Sequence, residues 1–352
     1  MSGGPQNLLV VRPDRVGDVL ISSSCLPVLR ARFPEASLTY AARPAMAPLF
    51  QDHPDARFLP LPDPGLPFLR RVAVLRGAFR AGGFDCTVFL HPDPAAYLAA
   101  WQAGIPRRIG YPETWTGWTL TDRLPNHRPE HARHEALYNF DLLSPLEVPA
   151  PKAPRAAIAL PEAAKASLNR KTLGRFPRGE YLCLHLGAHS PVARWPATHF
   201  LSIAEKLHQQ YGLHIVLTGH DRKDPSHLAF QDNAGRLPYV DLAGELNLAE
   251  TAWLIKGAKA LVTRDTGPSH LAAAVGTPVV VLFGRTAPPY GPVRWAPLAD
   301  ADRVRVLTSL AGERRSGEDR DAYWRRSFAS ITPDAVLHAL EDLLYAHHVS
   351  PV

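Results

Sequence analysis

The fold is decided by residues 260–286, which read Ala-Leu-Val-Thr-Arg-Asp-Thr-Gly-Pro-Ser-His-Leu-Ala-Ala-Ala-Val-Gly-Thr-Pro-Val-Val-Val-Leu-Phe-Gly-Arg-Thr. Residues 260–263 are a short apolar run of the kind that forms a buried parallel strand. Pro268 favours the first turn of a helix, because its fixed φ suits that position and its missing N–H is not needed there. The stretch therefore predicts a strand, a sharp turn, a short helix and a second strand, with the helix beginning at the carboxyl end of the first strand.

The predicted helix start at residues 265–270, Asp-Thr-Gly-Pro-Ser-His, has the properties of an anion site. Unpaired N–H groups and the positive end of the helix dipole face outward there, next to small hydroxyls and a glycine. In open α/β sheets, ligands bind beyond the carboxyl ends of the strands, so a phosphate or diphosphate is the expected ligand. The same residues would also make a good strand-to-helix turn with a capping side chain and no ligand.

Length and composition indicate a globular protein of two domains. The chain has 352 residues, which exceeds one ordinary hydrophobic core, and it is 46% hydrophobic and 20% charged. Its longest apolar runs are far shorter than the about 20 residues that span a bilayer, and its first residues do not resemble a secretory signal. We therefore expect a cytoplasmic protein, with Cys25, Cys86 and Cys183 as reduced core thiols.

The net charge is +6 at pH 7, so anionic partners are expected. Nucleic acid, phosphorylated substrates and an anionic membrane face are all compatible with that charge. The basic residues are dispersed arginines, without a long basic tail or zinc-finger spacing, so nucleic acid is not the expected partner. The histidines have no convincing metal spacing either.

Short apolar strands alternate with helices along the chain, which predicts two doubly wound parallel sheets in the α/β class. A Pro- and Ala-rich segment, residues 145–161, separates the two series and is typical of a linker. The predicted domains are residues 1–160, residues 161–330 and a C-terminal helix within 331–352, which we expect to pack toward the first domain. The predicted strands are residues 7–12, 37–43, 57–61, 86–90, 105–111, 181–186, 214–218, 239–242, 260–263, 279–283 and 304–308.

Two charged side chains stand at predicted strand ends where chemistry is possible. Asp18 follows Gly17 at the start of the helix after the first strand, where it could accept a proton from a hydroxyl or merely cap the helix. Arg194 precedes a helix in the second domain, where its planar guanidinium group could bind two phosphate oxygens or lie in solvent.

Residues 218–221 and 244–247 are further strand-end loops that could form the walls of a nucleotide site. Neither a Gly-x-Gly-x-x-Gly nor a P-loop sequence occurs, which disfavours NAD and P-loop nucleotide sites.

Together these residues resemble the ADP-heptose:lipopolysaccharide heptosyltransferase family, glycosyltransferase family 9. The resemblance covers nearly the whole chain, in the family's order. It rests on Arg12-Pro13-Asp14-Arg15-Val16-Gly17-Asp18, residues 103–111, His131–Leu143, Arg194-Trp195-Pro196, Leu242–Glu250 and residues 265–274.

This resemblance implies a GT-B fold, in which two Rossmann-like domains face each other across a cleft. It also implies a reaction that inverts the anomeric configuration of the sugar without a metal or cofactor. The acceptor would bind the N-terminal domain and the nucleotide sugar the C-terminal domain. Asp18 would be the general base, Arg194 would neutralise the leaving diphosphate, and Asp265 would hold the donor sugar. The other donor-binding residues would be Thr266, Gly267, Ser269, His270, Thr218, Gly219, Asp224 (at the ribose) and Leu246 (at the base). The acceptor-binding residues would be Arg12, Arg15 and Arg107.

The expected function is therefore an inverting glycosyltransferase that moves a sugar, first of all heptose from ADP-heptose, onto a lipopolysaccharide core or related envelope glycan. An anionic glycolipid acceptor would bring the protein into peripheral contact with the inner membrane. Residues 188–193 lack the threonines expected in lipopolysaccharide core enzymes, and residues 309–328 lack the cysteines of many relatives. Both departures leave the identity of the donor and acceptor open. A sugar-nucleotide epimerase and a non-catalytic nucleotide-sugar binding protein remain alternatives.

Overall fold

The computed structural model describes residues 4–176, 180–187 and 193–345. The chain divides into two compact units, Met1–Pro161 and Glu162–Val352. The division falls at the end of the Pro- and Ala-rich segment that was predicted as a linker. Among the described residues, no helix combines the length and the apolar character needed to cross a membrane.

The first unit contains a parallel sheet of six strands in the order β3-β2-β1-β4-β5-β6. This is the strand order of a Rossmann fold, in which the direction of winding reverses between β1 and β4. The strands are β1 (Asn7–Val11), β2 (Ser37–Ala42), β3 (Arg57–Pro60), β4 (Cys86–Phe89), β5 (Arg107–Gly110) and β6 (Asp122–Arg123). The helices are α1 (Val16–Ser23), α2 (Cys25–Arg32), α3 (Ala47–Phe50), α4 (Phe68–Gly82), α5 (Pro94–Ala103) and α6 (Glu135–Asp141).

Helices α4 and α5 cover one face of this sheet. Val72, Leu75 and Phe79 of α4 are buried in one core cluster with residues of β1, β4 and α5. Asp93 caps α5 by accepting hydrogen bonds from two backbone N–H groups of its first turn, and Gly104 ends the helix at a φ of 80°. The helix layer leaves the carboxyl ends of β1 and β4 open for the loops that follow them.

The second unit repeats this architecture, with the order β12-β11-β10-β7-β8-β9. Its switch point lies between β7 and β10, which are adjacent and parallel. The strands are β7 (Tyr181–His185), β8 (His214–Thr218), β9 (Tyr239–Asp241), β10 (Ala260–Arg264), β11 (Val279–Phe283) and β12 (Val304–Thr308). The helices are α7 (Glu162–Thr172), α8 (Ala197–Tyr211), α9 (Pro225–Asn233), α10 (Leu248–Gly257), α11 (Gly267–Val275), α12 (Pro292–Trp295), α13 (Arg320–Ala329) and α14 (Pro333–Tyr345).

These two sheets confirm the predicted α/β class and the two Rossmann-like folds. All predicted strands of the second half are present, and the helix expected after Asp265 begins at Gly267. The strand β6, which has only two residues, was not among the predicted strands. The three cysteines are free and buried, as predicted.

The C-terminal helix α14 belongs to the core of the second unit, whereas we expected it to pack toward the first domain. Val336, Leu337, Leu340 and Leu343 are buried in the same cluster as the apolar face of α8. The C-terminal helix itself was predicted, but an apolar stripe on one face of a helix does not identify the surface that covers it.

Leu340→Ala should lower the free energy of unfolding by about 2 to 5 kcal/mol, because it removes a fully buried side chain from this core. Urea denaturation measures the change. Leu310→Ala is the matched control, since Leu310 is 79% exposed in the same unit. Equal stability of the two variants would contradict the packing of α14 in the second core.

Candidate functional site

Two of the predicted site residues, Asp18 and Asp265, lie at the switch points of the two sheets. Asp18 is in the first turn of α1, directly after β1, and Asp265 lies between β10 and α11. Strands β1 and β10 are each the central partner at a reversal of winding, next to β4 and β7 respectively. Crevices of this kind are where open α/β sheets bind ligands. Each unit therefore has one candidate site at its carboxyl edge.

Arg12, the first residue after β1, is the centre of a buried ion cluster in the first unit. Its side chain is 2% exposed. Its Nε lies 2.7 Å from Asp14 Oδ2, its Nη2 lies 3.0 Å from Asp18 Oδ1, and both Nη atoms donate to Glu135 Oε1 at 3.3 Å. The carboxylates of Asp14, Glu135 and Asp18 raise the pKa of Arg12 even though burial acts against them. Arg12 therefore remains a fixed positive charge beneath Asp18.

A second buried arginine, Arg128, shares its acceptors with Arg12. Arg128 donates to Glu135 Oε1 at 2.9 Å, to Asn139 Oδ1 at 2.8 Å and to the carbonyl of Leu90 at 2.9 Å. Arg12 donates to the same Asn139 oxygen at 3.0 Å and to the same carbonyl at 2.9 Å. Helix α6 thus supplies two polar side chains that hold both guanidinium groups between the ends of β1 and β4.

Asp18 has the character of a proton acceptor. Its side chain is 21% exposed, and burial raises its pKa above the ordinary carboxyl value. The charges of Asp14 and Glu135 raise this pKa further, while Arg12 opposes the shift. A carboxylate with a raised pKa is a stronger base near neutral pH than an ordinary surface aspartate.

The three arginines predicted to bind the acceptor occupy different surroundings. Arg12 is enclosed by its carboxylate partners, so its contacts are with Asp18 and its neighbours rather than with solvent. Arg15 is exposed, three residues before Asp18. Arg107 begins β5 at the amino edge of the sheet, where it contacts Asp122 at 3.1 Å and donates to the carbonyl of Pro145. The structure therefore brings Arg12 and Arg15 to Asp18 but does not bring Arg107 there.

In the second unit, α11 begins at Gly267 with its first turn at the sheet edge. Thr266 is the N-cap residue, but its side chain makes no capping hydrogen bond among the described residues. Its hydroxyl instead lies 3.0 Å from the hydroxyl of Thr263 and 3.2 Å from the carbonyl of Arg264. The hydroxyl of Ser269 donates to the carbonyl of Thr266, and Ser269 and His270 are both buried. Side-chain capping by Thr266 is therefore not what this stretch provides, and its backbone start remains suited to an anion.

Arg194 and Asp224 are brought together at the loops before α8 and α9. A guanidinium nitrogen of Arg194 contacts an Asp224 carboxylate oxygen and lies 2.8 Å from the hydroxyl of Ser226. Asp224 also caps α9 by accepting the backbone N–H of Ser226 at 2.8 Å. Burial would raise the pKa of Asp224, but these hydrogen bonds and the charge of Arg194 hold it below its ordinary value. The charge of Arg194 is thus largely balanced by Asp224.

Thr218 ends β8 and Gly219 follows it, close to the loop after β7. The Thr218 hydroxyl lies 3.0 Å from Nδ1 of His185, whose pKa burial lowers to about 3, so that the imidazole is neutral. A Cβ atom on Gly219 would lie 2.4 Å from Nε2 of the fully buried His227, so only glycine fits there. Leu246 is half-buried in the loop that leads into α10. Thr218, Gly219 and Leu246 therefore lie at or just after the carboxyl ends of β8 and β9.

The sequence contained no specific signal for several polar residues at these sites. Glu135 and Asn139 lie on α6, and their role depends on the two arginines that they contact. Arg264 ends β10 and is 4% exposed. A charged residue directly after a buried apolar run was the available signal for Arg264, and we interpreted that run only as a strand.

Among the residues described, no group of three or more His, Cys, Asp or Glu side chains could hold a metal ion.

Comparisons with known proteins identify relatives of the whole chain. The model of glycosyltransferase family 9 (heptosyltransferase) matches residues 74–321. Lipopolysaccharide heptosyltransferase 2 of Escherichia coli K12 is 28% identical over 359 residues, covering 96% of this chain and 98% of that protein. The structure of E. coli ADP-heptose lps heptosyltransferase II covers 97% of this chain and 100% of its own, with 24% identity and a TM-score of 0.79. A glycosyl transferase family 9 structure from Veillonella parvula covers 97% of both chains, with 20% identity and a TM-score of 0.80. The two structures confirm the predicted GT-B fold.

Glu135→Ala should destabilise the first unit by about 3 to 5 kcal/mol, because it leaves two buried guanidinium groups without a carboxylate that both contact. Urea unfolding followed by circular dichroism measures the loss. Glu130→Ala is the control: Glu130 is 59% exposed and pairs with His127, so its removal should cost less than about 1 kcal/mol. A loss no larger than that of the control would contradict the role assigned to Glu135.

Proposed function

Because the chain belongs to glycosyltransferase family 9, we propose that it transfers heptose from ADP-heptose to a lipopolysaccharide core or related envelope glycan, with inversion of the anomeric configuration and without a metal. That family makes it a glycosyltransferase, so the epimerase alternative is not favoured. The names of two relatives, lipopolysaccharide heptosyltransferase 2 and ADP-heptose lps heptosyltransferase II, support the proposed donor and acceptor. The observation that carries the proposal is Asp18, a carboxylate of raised pKa held at a switch point by a buried arginine.

Asp18 would act as the general base on the acceptor. Arg12 contacts Oδ1, so we assign Oδ2 to the acceptor hydroxyl. As that hydroxyl oxygen bonds to the anomeric carbon, its proton passes to Asp18, and the bond from the anomeric carbon to the diphosphate breaks with its electron pair on the departing ADP. A single displacement of this kind inverts the anomeric configuration. Binding of a nucleotide sugar alone would not require such a base.

The second unit would hold the donor. The start of α11 would bind the diphosphate through backbone N–H groups and the helix dipole. Asp265 would bind the sugar, and Arg194 would help to neutralise the leaving group. The further donor contacts that we propose are Thr266, Gly267, Ser269, His270, Thr218, Gly219, Asp224 and Leu246. On the first unit, we propose that Arg15 contacts the acceptor and that Arg12 positions Asp18.

Asp18→Asn should lower kcat about 10²- to 10⁴-fold, because it removes the proton acceptor. ADP release would be followed with ADP-heptose and heptose-deficient lipopolysaccharide. ADP affinity should stay near wild type, since this carboxylate serves the acceptor. In the wild type, kcat/KM should fall as the pH falls through the raised pKa of Asp18, because the protonated acid cannot accept the acceptor proton.

Asp52→Asn is the matched control, since Asp52 is an exposed carboxylate of the same unit. Loss of ADP affinity in Asp18→Asn would place Asp18 at the donor instead. If folded wild-type protein releases no ADP with any of several nucleotide sugars and acceptors, the proposed transferase activity is excluded.

We also propose that the first unit makes peripheral contact with an anionic membrane on the cytoplasmic side. Five large apolar side chains, four of them aromatic, are exposed on α4, α5 and the loop after β5, and we call them the aromatic face: Phe68, Leu69, Trp101, Trp115 and Trp118. Trp115 packs against Phe68 and Trp118 against Trp101, each with ring centroids 5.2 Å apart. Tryptophan is enriched at the boundary between lipid and water, where an apolar ring can keep a polar N–H hydrated.

Arginines surround this aromatic face. Arg70 follows Leu69 and is exposed, Arg80 donates to the carbonyl next to Trp101, and Arg123 donates to the carbonyl of Trp118. Apolar rings flanked by cations complement a surface of anionic phospholipid, which attracts each cation by about 1 kcal/mol. An acceptor embedded in that surface would concentrate the enzyme there.

The double variant Trp115→Ser/Trp118→Ser should bind vesicles of phosphatidylglycerol and phosphatidylethanolamine at least about fivefold more weakly than the wild type, because it removes the interfacial rings. Co-sedimentation measures the binding, and Leu310→Ser in the second unit is the control. Activity on a lipid-free acceptor should not change. Equal vesicle binding by the double variant and the control would contradict the proposal.

A further inference from the structure

Arg264 is a buried arginine at the switch point of the second unit. It is the last residue of β10, and its side chain is 4% exposed. Nη2 donates to the carbonyl of Gly187 at 3.2 Å, across the crevice between the ends of β7 and β10. The guanidinium carbon lies 5.4 Å from the ring of Phe328, which closes the other side. The guanidinium group is therefore held at the crevice between β7 and β10, in the residue that stands three positions before α11 begins.

The charge of Arg264 is not balanced by the protein in the way that other buried cations are. Within the described ranges, Nε has no hydrogen-bond partner and the guanidinium forms no ion pair with a carboxylate. Burial lowers its pKa to about 9, and the nearby cations Arg285 and Arg194 add to the shift, while Asp265 and Asp224 oppose it. Uncompensated buried charge is unfavourable, so this arrangement favours an anion that the protein alone does not supply.

A third arginine is fixed beside this group by aromatic rings. Arg285 follows β11 by two residues, with its guanidinium carbon 4.0 Å from the ring centre of Tyr290 and 5.1 Å from that of Trp324. The two rings meet edge to face at 6.3 Å. Stacking of this kind holds an arginine in place without using its hydrogen-bond donors. Arg285 therefore stays close to Arg264, with N–H groups that can bind an anion.

We propose that Arg264, supported by Arg285, is a direct ligand of the donor diphosphate and of the ADP product, an inference that rests on the function proposed above. A guanidinium group can donate from Nε and one Nη to two phosphate oxygens at once. Arg194 is already paired with Asp224, so Arg264 supplies the unbalanced positive charge at this edge. As the bond to the anomeric carbon breaks, that charge stabilises the electron pair that collects on the diphosphate oxygen.

Arg264→Gln in the full-length protein tests this assignment. Isothermal titration should show at least a tenfold loss of affinity for ADP and for inorganic diphosphate, with adenosine binding unchanged because adenosine has no phosphate. Arg264→Lys should lose less, since it keeps the charge without the two-pronged contact. The unliganded protein should not melt at a lower temperature, because the change removes a buried unpaired charge, but the stabilisation by ADP should shrink.

Arg303→Gln is the control for net charge, since Arg303 is exposed at the amino edge of the same sheet. Wild-type affinity for ADP and diphosphate in folded Arg264→Gln would overturn the assignment, as would an equal loss in the control. If that variant does not fold, the same measurements on Arg264→Lys and Arg285→Gln decide the question, and unchanged affinity in both overturns the assignment. Wild-type protein that binds diphosphate but not ADP would contradict the proposed donor while a loss in Arg264→Gln still supports the ligand role.

Discussion

Parallel strands buried on both faces present their carboxyl ends along one edge, and this constraint decides where each unit can carry chemistry. In both sheets the winding reverses between two central strands, which opens a crevice between the loops that follow them. Asp18 stands at the first crevice, and the start of α11 stands at the second. The two units share one architecture, so their different roles depend on the side chains at these edges.

The two sheet edges differ in whether the charge of a buried arginine is balanced by carboxylates. Arg12 is surrounded by Asp14, Asp18 and Glu135. Its charge is therefore balanced inside the protein, where it holds the Asp18 carboxylate in one orientation. Arg264 lacks such a partner among the described residues and lies beside two further arginines. A neutralised cation suits the base proposed for the first unit, and an unbalanced cation suits the anion site proposed for the second.

The sequence was a good guide wherever one local pattern determines the structure. Apolar runs located the strands, and Pro268 located the start of α11. Residue roles that depend on distant partners could not be read in the same way: Arg12 looked like a ligand-binding arginine until Glu135 and Asn139, more than 100 residues away, enclosed it. Arg107 was assigned to the acceptor from the family resemblance, although its place near the start of a predicted parallel strand already put it at the amino edge of the sheet. Likewise, the C-terminal helix was predicted, but the sequence did not identify the core against which it packs.

Gly219 and His227 form a coupled pair in the second unit. His227 is completely buried, with Nδ1 facing Asp241 at 3.4 Å and Nε2 beneath the backbone at Gly219. No side chain fits at position 219 while an imidazole occupies position 227. A lineage could therefore gain a residue at the first position only after replacing the second with something smaller. The two positions should co-vary among homologues, and the shape of this loop would then be inherited as one unit rather than residue by residue.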